Sequence, residues 1–263
     1  MIKKINEYNH TLHKDHVTTF FSKLYRYGQE LNTHDLVKVI AILLMIVDHV
    51  GEYLFADNVW CRLIGRGAAP LFFFLVGYVG KLHIRSALIV FGVILSFSTY
   101  LVTRHYNISI LFNFILIHYC LAFFPVEKIS TLTRIICFIA FALLNVPVYL
   151  FFEYGLLGIL IAYSARMIAL KDPQGNFWLL LTMILYFVWE CAYFQFTKQP
   201  NAIFVFTLLT IFVIAAMQTY RLRQVPCPHL LRLPALFISR YSLEIYFFHL
   251  IILQIYFYLH TRF

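Results

Sequence analysis

Three titratable side chains fall close together at Asp48, His49 and Glu52. On a helix that turns about 100° per residue, Glu52 lies about 40° and His49 about 100° around from Asp48, with Lys38 about 80° away. An imidazole has a pKa that ordinarily lies near neutrality, and a neighbouring carboxylate can orient it and stabilise its charged form. This helix face therefore predicts a site for acid–base chemistry, with His49 as the base.

Two further segments carry polar groups that can serve the same site. Arg66 stands among small residues in the run CRLIGRGAAPLFFFLVGY, where Pro70 leaves a backbone carbonyl free. Near the end of the chain, Ser242, Tyr246 and His249 are spaced by four and three residues, within about 60° of one another on a helix. An arginine or a tyrosine can donate to a developing oxyanion. The catalytic candidates are therefore Asp48, His49, Glu52, Arg66, Tyr246 and His249.

The elements that must position these residues are apolar. Of the 263 residues, 62% are hydrophobic and only 13% are charged, against about 25% charged in soluble domains, so too few charges remain for a soluble surface. The apolar residues form runs of about 18–20, close to the length that crosses a hydrocarbon core of about 30 Å as a helix. Barrel strands would alternate polar and apolar residues, which these runs do not. The composition predicts an all-α, polytopic membrane protein.

The apolar runs predict about nine transmembrane helices, with eight or ten as alternatives. They lie near 36–55, 63–80, 86–103, 107–125, 132–150, 154–170, 177–197, 202–220 and 235–259. Lysines and arginines then fall mostly on the side that holds the N-terminus, so the N-terminus is expected in the cytoplasm and the C-terminus outside. At about 1.5 Å per residue, His49, Arg66 and His249 reach a similar depth in the outer half of the membrane.

The chain divides into a cytoplasmic segment, residues 1–34, and a transmembrane domain, residues 35–263. Apolar residues recur at helical spacing between Val17 and Leu31, which predicts an interfacial helix on the inner leaflet. His10, His13 and His16 follow the spacing of a metal site, but they lack acidic or cysteine partners at matching spacing, and we predict no metal. The net charge of +9 is attributed to cytoplasmic loops and contact with membrane lipid, without a nucleic-acid partner.

Charges inside the membrane are costly, at least about 2.5–3.5 kcal/mol each at the centre of a lipid-exposed helix. The polar face around Asp48 must therefore point into the bundle or a wet cavity. A structural ion-pair network is the plainer alternative, and Arg66 alone can instead reach the outer headgroups. Glu190 is lone and is interpreted as structural. Weaker site candidates are Asn107, Asn113, Glu153 and Tyr154.

Several motifs resemble those of the TraX-type F-pilin N-acetyltransferase family. The similarity lies in DLVKVIAILLMIVDHV followed by RLIGRGAAPLFFFLVG, and more weakly in NISILFNF, EYGLLGILIAY and YSLEIYFFHL, in order along nearly the whole chain. Ala69 stands where the family more often has an aromatic residue, which bears on the shape of the acceptor site. The resemblance implies that His49 is the catalytic histidine, with Asp48 beside it and Arg66 and His249 at motif positions.

The same resemblance implies an acetyltransferase of the bacterial inner membrane. Acetyl-coenzyme A, a co-substrate, would enter from the cytoplasm, and the acceptor would be an amine of a pilin-like peptide or a hydroxyl of an envelope molecule at the outer side. Phosphates are bound best by nearby cations. The nearest to the cytoplasmic mouth, and hence the cofactor-binding candidates, are Lys38, Lys81, His83 and Arg85.

Two other classes of function stay open at this point. Buried Asp, Glu and His residues also make the proton relays of coupled transporters, although nine spans without an inverted repeat or a pair of broken helices is not the usual transporter plan. A non-enzymatic pilus or envelope assembly factor would not need intramembrane charges. Direct transfer and an acetyl-histidine intermediate are equally compatible with these residues.

Overall fold

The computed structural model describes residues 30–55, 58–80 and 84–262, and within these ranges it contains helices and no β-strand. The all-α expectation is therefore confirmed for this part of the chain. Most of the interfacial helix predicted between Val17 and Leu31, and all three of His10, His13 and His16, lie outside the described residues. Lys81 and His83, two of the expected phosphate-binding residues, also lie outside them.

Eleven α-helices follow one another in the described ranges. They are α1 Thr33–Tyr53, α2 Val59–Gly65, α3 Ala68–Val79, α4 Ser86–Thr103, α5 Ile110–Phe123, α6 Thr131–Tyr149, α7 Leu157–Ala169, α8 Gly175–Tyr193, α9 Pro200–Gln218, α10 His229–Arg240 and α11 Ser242–Arg262. Asn32 begins α1 with a capping box, in which its side chain accepts from the Asp35 backbone N–H and Asp35 accepts from the Asn32 N–H.

Seven segments of the described chain are long and apolar enough to cross a membrane, which makes this a multi-pass membrane protein. They are Val59–Val79, Ser86–Thr103, Ile110–Lys128, Thr131–Tyr149, Gly175–Tyr193, Pro200–Gln218 and Ser242–His260. The other two expected spans correspond to α1 and α7. Helix α1 has 21 residues, enough for about 31 Å, but it carries four charged side chains; α7 has only 13 residues.

Two spans that the sequence predicted as continuous helices are interrupted. The span expected at 63–80 turns at Arg66 and Gly67 between α2 and α3, because Pro70 has no N–H to bond the Arg66 carbonyl. The span expected at 235–259 is divided at Tyr241 between α10 and α11. No proline or glycine marks this second turn, so the residues around it do not predict it.

Small residues let the helices around α3 approach closely. A Cβ at Gly77 of α3 would overlap the Ala162 backbone of α7, and a Cβ at Gly158 of α7 would crowd the Phe73 ring. Close backbone approach of this kind is how helices associate within a membrane. The result is a packed pair, α3 and α7, against which α1 and α5 lie.

Candidate functional site

A cavity of about 370 Å³ runs along α1 between α3, α4, α5 and α11. Its walls are mostly apolar and include Met45, Ala69, Phe72, Leu75 and Phe114. Ala69 is the position where the family resemblance leads one to expect an aromatic residue, and here its small side chain is part of the wall. An aromatic ring at this position would therefore narrow the cavity.

One end of the cavity is lined by basic groups, which we call the cationic mouth: His34, Lys38, Arg85 and Arg240. Arg85 is exposed, so the cavity opens to the surface there. The structure thus brings together Lys38 and Arg85 as expected and adds two residues that the sequence analysis missed. His34 lies four residues before Lys38 on the same helix face, a signal that was available; Arg240 lies just before the unforeseen turn at Tyr241.

The other end, the inner end, is lined by Asp48, His49, Glu153, Tyr154 and Tyr246. His49 lies eleven residues after Lys38 on α1. At a rise of about 1.5 Å per residue, the inner end is therefore about 16 Å from the mouth. The cavity therefore connects a basic, exposed opening with a buried group of titratable side chains.

His49 and His249 form a hydrogen-bonded pair at the inner end. The His49 Nδ1 lies 2.7 Å from the His249 Nε2, and the His249 Nδ1 lies 2.7 Å from the Ile245 carbonyl oxygen. A carbonyl can only accept, so the His249 Nδ1 carries a proton and donates it to Ile245. In the neutral pair, His49 then donates from Nδ1 to His249, and the His49 Nε2 keeps a free lone pair. A chain of two hydrogen bonds, which ends at the Ile245 backbone carbonyl, therefore sets the protonation of His49.

The Tyr246 ring completes this group. Its centroid lies 5.8 Å from that of His49 and 5.9 Å from that of His249, while the two imidazoles stack at 5.0 Å. The shared depth of the two histidines and the shared face of Tyr246 and His249 both agree with the expectation from spacing. Tyr246 is buried and lines the cavity, so its hydroxyl is a candidate donor to a reacting oxygen there.

Asp48 is committed to arginine and not to His49. Arg66 donates to both Asp48 carboxylate oxygens, through Nε at 3.2 Å to Oδ1 and through Nη2 to Oδ2. The Arg62 Nη1 lies 3.3 Å from Oδ1 and donates at 3.1 Å to the Asp48 carbonyl. A Cβ at Gly65 would overlap Asp48, so the glycine is needed for this approach. The expectation that Asp48 orients His49 is corrected, because His249 makes that hydrogen bond.

Glu52 also departs from its expected role. Its side chain is 41% exposed, accepts from Arg62 Nη1 at 2.7 Å, and does not line the cavity. Glu52 lies in the last turn of α1, where the chain leaves the bundle. It is therefore exposed even though its position around the helix axis is close to that of buried Asp48. Glu52 therefore lies at the rim of the site with Arg62, and it is not the group that orients His49.

Arg66 is buried and does not reach for headgroups. Its guanidinium carbon lies 4.6 Å from the Phe194 ring centroid and 5.6 Å from that of Tyr154, at cation–π distance. Glu190 was expected to have no charged partner, but its Oε2 lies 3.7 Å from Arg66 Nη1. The Arg66 carbonyl, freed by Pro70, accepts from the Tyr186 hydroxyl at 2.7 Å. Because its guanidinium is bound to the carboxylates of Asp48 and Glu190 and Arg66 itself does not line the cavity, Arg66 is not placed to donate to an oxyanion there.

Glu153 and Tyr154 reach the inner end from the connection between α6 and α7. Tyr154 and Gly155 both have positive φ, 64° and 52°, and for a tyrosine this left-handed conformation costs about 1–2 kcal/mol. The Asn145 side chain accepts from the Leu156 N–H at 2.8 Å, and the Asn113 side chain donates to the Glu153 carbonyl. The weaker candidates Asn113, Glu153 and Tyr154 are thus connected: Asn113 holds the backbone of Glu153, and the Glu153 and Tyr154 side chains line the cavity.

Asp48, His49 and Glu52 offer three possible metal ligands within 4.8 Å of one another. The Asp48 oxygens, however, already accept from Arg66 and lie against Arg62. The negative charge of the Asp48 carboxylate is therefore already neutralised by two guanidinium groups and is not available to a metal ion. Their chemistry fits an ion-pair cluster better than a metal site.

Comparison with known proteins finds one family along most of this chain and relatives that align with shorter parts of it. The family described as TraX protein matches residues 33–257. An uncharacterized protein of Rickettsia prowazekii (strain Madrid E) is 36% identical over 75 residues, which are 28% of this chain and 30% of that protein. Protein TraX of Escherichia coli (strain K12) is 47% identical over 38 residues, 14% of this chain and 15% of that protein. No solved structure matches.

Proposed function

Because this chain belongs to the TraX family, we propose that it is a membrane-embedded acetyltransferase that moves an acetyl group from acetyl-coenzyme A to an amine or hydroxyl acceptor. The membership fits a pilin-modifying membrane protein. One observation carries the proposal furthest: His49, held by His249, lies at the inner end of a cavity that opens at a cationic mouth. Transfer of a labelled acetyl group from acetyl-coenzyme A to a peptide amine tests it.

The proposed topology has nine passes, with α1 and α7 added to the seven apolar spans. Lys38 and Asp48 of α1 line the cavity, Glu52 pairs with Arg62 and Asp35 accepts from Ser239, so the charges of α1 have polar surroundings and the helix can cross the membrane. Helix α7 alone is about 20 Å long, too short for the hydrocarbon core, and the buried residues 154–156 before it add to the depth. The cationic mouth then lies on the cytoplasmic side of the bacterial inner membrane, in keeping with the distribution of basic residues.

Reporter fusions test this topology directly. A fusion after Phe263 is expected to report the outer side, and one in the loop around Asp172 the cytoplasmic side, because an odd number of spans separates them. Phosphatase and fluorescent-protein reporters distinguish the two locations. If both fusions report one side, the nine-pass arrangement is wrong.

The cavity is proposed to take acetyl-coenzyme A lengthwise. Its volume of about 370 Å³ is near the lower limit for sites that enclose drug-sized ligands. The narrow pantetheine arm would therefore fill the apolar section, and the phosphates would stay at Lys38, Arg85 and Arg240. This arrangement brings the thioester to His49 and supplies charge-assisted hydrogen bonds where the ligand is anionic.

Charge reversal at the mouth tests this donor site. The double variant Lys38→Glu/Arg85→Glu is expected to bind coenzyme A at least about 10-fold more weakly, since hydrogen bonds to charged groups contribute about 1.5–3 kcal/mol each. Calorimetry on the detergent-purified protein measures the affinity. The matched control, Lys128→Glu/Lys171→Glu, changes the net charge equally at exposed positions outside the cavity. Equal weakening in both double variants would place the phosphates elsewhere.

The proposed chemistry uses the free lone pair of His49. Its Nε2 takes a proton from the acceptor as the acceptor nitrogen or oxygen bonds to the acetyl carbon, and Tyr246 donates to the oxygen on which negative charge develops. The carbon–sulfur bond then breaks, and His49 returns the proton to the leaving thiolate. His249 accepts the hydrogen bond of the charged imidazole throughout, so the ring keeps its orientation.

A coupled transporter is the second candidate, and two observations favour it. The chain has interrupted helices, which the sequence analysis did not expect, and it buries Asp48, Arg66 and Glu190 together. Both features occur in transporters with ion sites at mid-membrane depth. The two functions make different predictions for His49. In an acetyltransferase, acetyl transfer depends on this residue; in a transporter, proton movement does.

A further inference from the structure

Helix α10 carries an apolar face that no other part of the described chain covers. Leu230, Leu233 and Phe237 lie within about 60° of one another around the helix axis, and all three are exposed. Leu230, at 84%, is the most exposed large hydrophobic side chain among the described residues. Another side of the helix packs inward through buried Leu236 and Ser239. Helix α10 is therefore amphipathic, and its apolar face points away from the protein.

This apolar face does not belong to a transmembrane span. Helix α10 has 12 residues, which extend about 18 Å, whereas the hydrocarbon core is about 30 Å thick. The turn at Tyr241 separates α10 from α11, and the last apolar span begins only at Ser242. In the proposed topology, α9 ends at Gln218 on the cytoplasmic side, where α11 also begins. An exposed apolar helix in this position fits the boundary between lipid headgroups and acyl chains.

The charges of this segment all have one sign. Between Thr219 and Arg240 the chain has no aspartate or glutamate, but it has the arginines Arg221, Arg223, Arg232 and Arg240. Arg240 lines the cationic mouth. Of the other three, Arg221 and Arg223 are exposed, and the buried Arg232 Nε has no hydrogen-bond partner among the described residues. None of these three belongs to an ion pair within the described part of the chain. Their guanidinium groups are therefore available to anions outside the protein.

Contacts with α1 fix the backbone of this segment near both of its ends. The Thr33 hydroxyl donates to the Arg221 carbonyl at 2.7 Å, and the Thr33 N–H donates to the Arg223 carbonyl at 2.9 Å. Near the end of α10, the Ser239 hydroxyl donates to the Asp35 carboxylate at 2.6 Å. A ligand therefore does not have to order this backbone when it binds, which lowers the cost of binding.

We infer that residues 221–237, the lipid surface, bind the anionic phospholipid headgroups of the inner leaflet. The apolar face of α10 enters the acyl boundary, while Arg221, Arg223 and Arg232 contact the phosphates. Burial of apolar area and attraction of basic residues to anionic lipid both strengthen such binding. An acidic protein would match the arginines but not an apolar face at membrane depth, so lipid is the occupant that matches both. The inference uses the proposed topology but not the proposed acetyl transfer.

Native mass spectrometry of the full-length protein in detergent tests the lipid surface. Phosphatidylglycerol, which is anionic, and phosphatidylcholine, which is zwitterionic, are added with identical acyl chains, and wild-type protein is expected to prefer phosphatidylglycerol. Arg221→Gln/Arg223→Gln is expected to bind phosphatidylglycerol at least about 10-fold more weakly, since each basic residue near an anionic surface contributes roughly a factor of five. The matched control Lys128→Gln/Lys171→Gln, at exposed positions outside the lipid surface, is expected to bind like wild type.

A charge-preserving variant separates the charge from the fold. Arg221→Lys/Arg223→Lys is expected to keep the preference for phosphatidylglycerol, and equal weakening in the lysine and glutamine variants would overturn the inference. Equal wild-type affinity for the two lipids, or equal weakening in the control pair, would also overturn it. A wild-type dimer that Leu230→Gln abolishes, without any preference for the anionic lipid, would show that a second copy of the chain covers this face instead.

Discussion

Replacement of His49 by alanine is expected to slow acetyl transfer by about 10²–10⁴-fold, the usual contribution of a general base. The variant removes the lone pair at the inner end of the cavity but no group of the cationic mouth, so binding of coenzyme A is expected to persist. Release of free coenzyme A in the presence of an amine acceptor measures the rate, and calorimetry measures the binding.

The His249 variants separate orientation from chemistry. His249→Ala removes the acceptor for the His49 Nδ1 proton, so the imidazole loses its fixed protonation and the rate is expected to fall, though by less than for His49→Ala. In His249→Gln the side-chain carbonyl can accept the same hydrogen bond, and part of the rate is expected to return. Equal rates in the alanine and glutamine variants would contradict the assigned role of His249.

Replacement of Arg66 by alanine is expected to lower the free energy of unfolding by about 3–5 kcal/mol, because it removes the two-pronged partner of buried Asp48, which keeps only Arg62, and also the arginine beside buried Glu190. Arg66 and Asp48 are each only 4% exposed, so the pair is largely desolvated and its loss is costly. Unfolding in mixed detergent and SDS micelles, followed by helical circular dichroism, measures the change.

Two controls accompany the Arg66 variant. Arg166→Ala removes an arginine from a more exposed pair with Glu127 and is expected to cost at most about 1 kcal/mol. Arg66→Lys keeps the charge but loses the two-pronged contact with the carboxylate, so an intermediate loss is expected. If Arg66→Ala is no less stable than Arg166→Ala, the buried pair with Asp48 does not stabilise the fold.

Helical spacing predicted much of the site. Lys38, Asp48 and His49 share the cavity because their angles around one helix follow from their positions alone. The depth of His249 was predicted for the same reason, since rise per residue is constant, and the histidine rings do meet. Spacing within a single helix is local information, which a sequence carries completely.

The partners of the charged groups could not be predicted in this way. Asp48 pairs with Arg66 and not with the adjacent His49, and Arg66 also contacts Glu190 from a helix far along the chain. Such choices depend on which helices meet and how they are rotated, and spacing within one helix does not contain that information. The left-handed Tyr154 was equally hidden, because a tyrosine gives no local preference for that conformation.

The most direct test of the central claim follows an isotopically labelled acetyl group. Purified protein in proteoliposomes is supplied with deuterated acetyl-coenzyme A on the side of the cationic mouth, and mass spectrometry detects label on a peptide with a free N-terminal amine. The acetyltransferase proposal predicts labelled peptide with wild-type protein and almost none with His49→Ala. No label with wild-type protein, together with a proton flux that His49→Ala abolishes, would contradict it and establish a transporter instead.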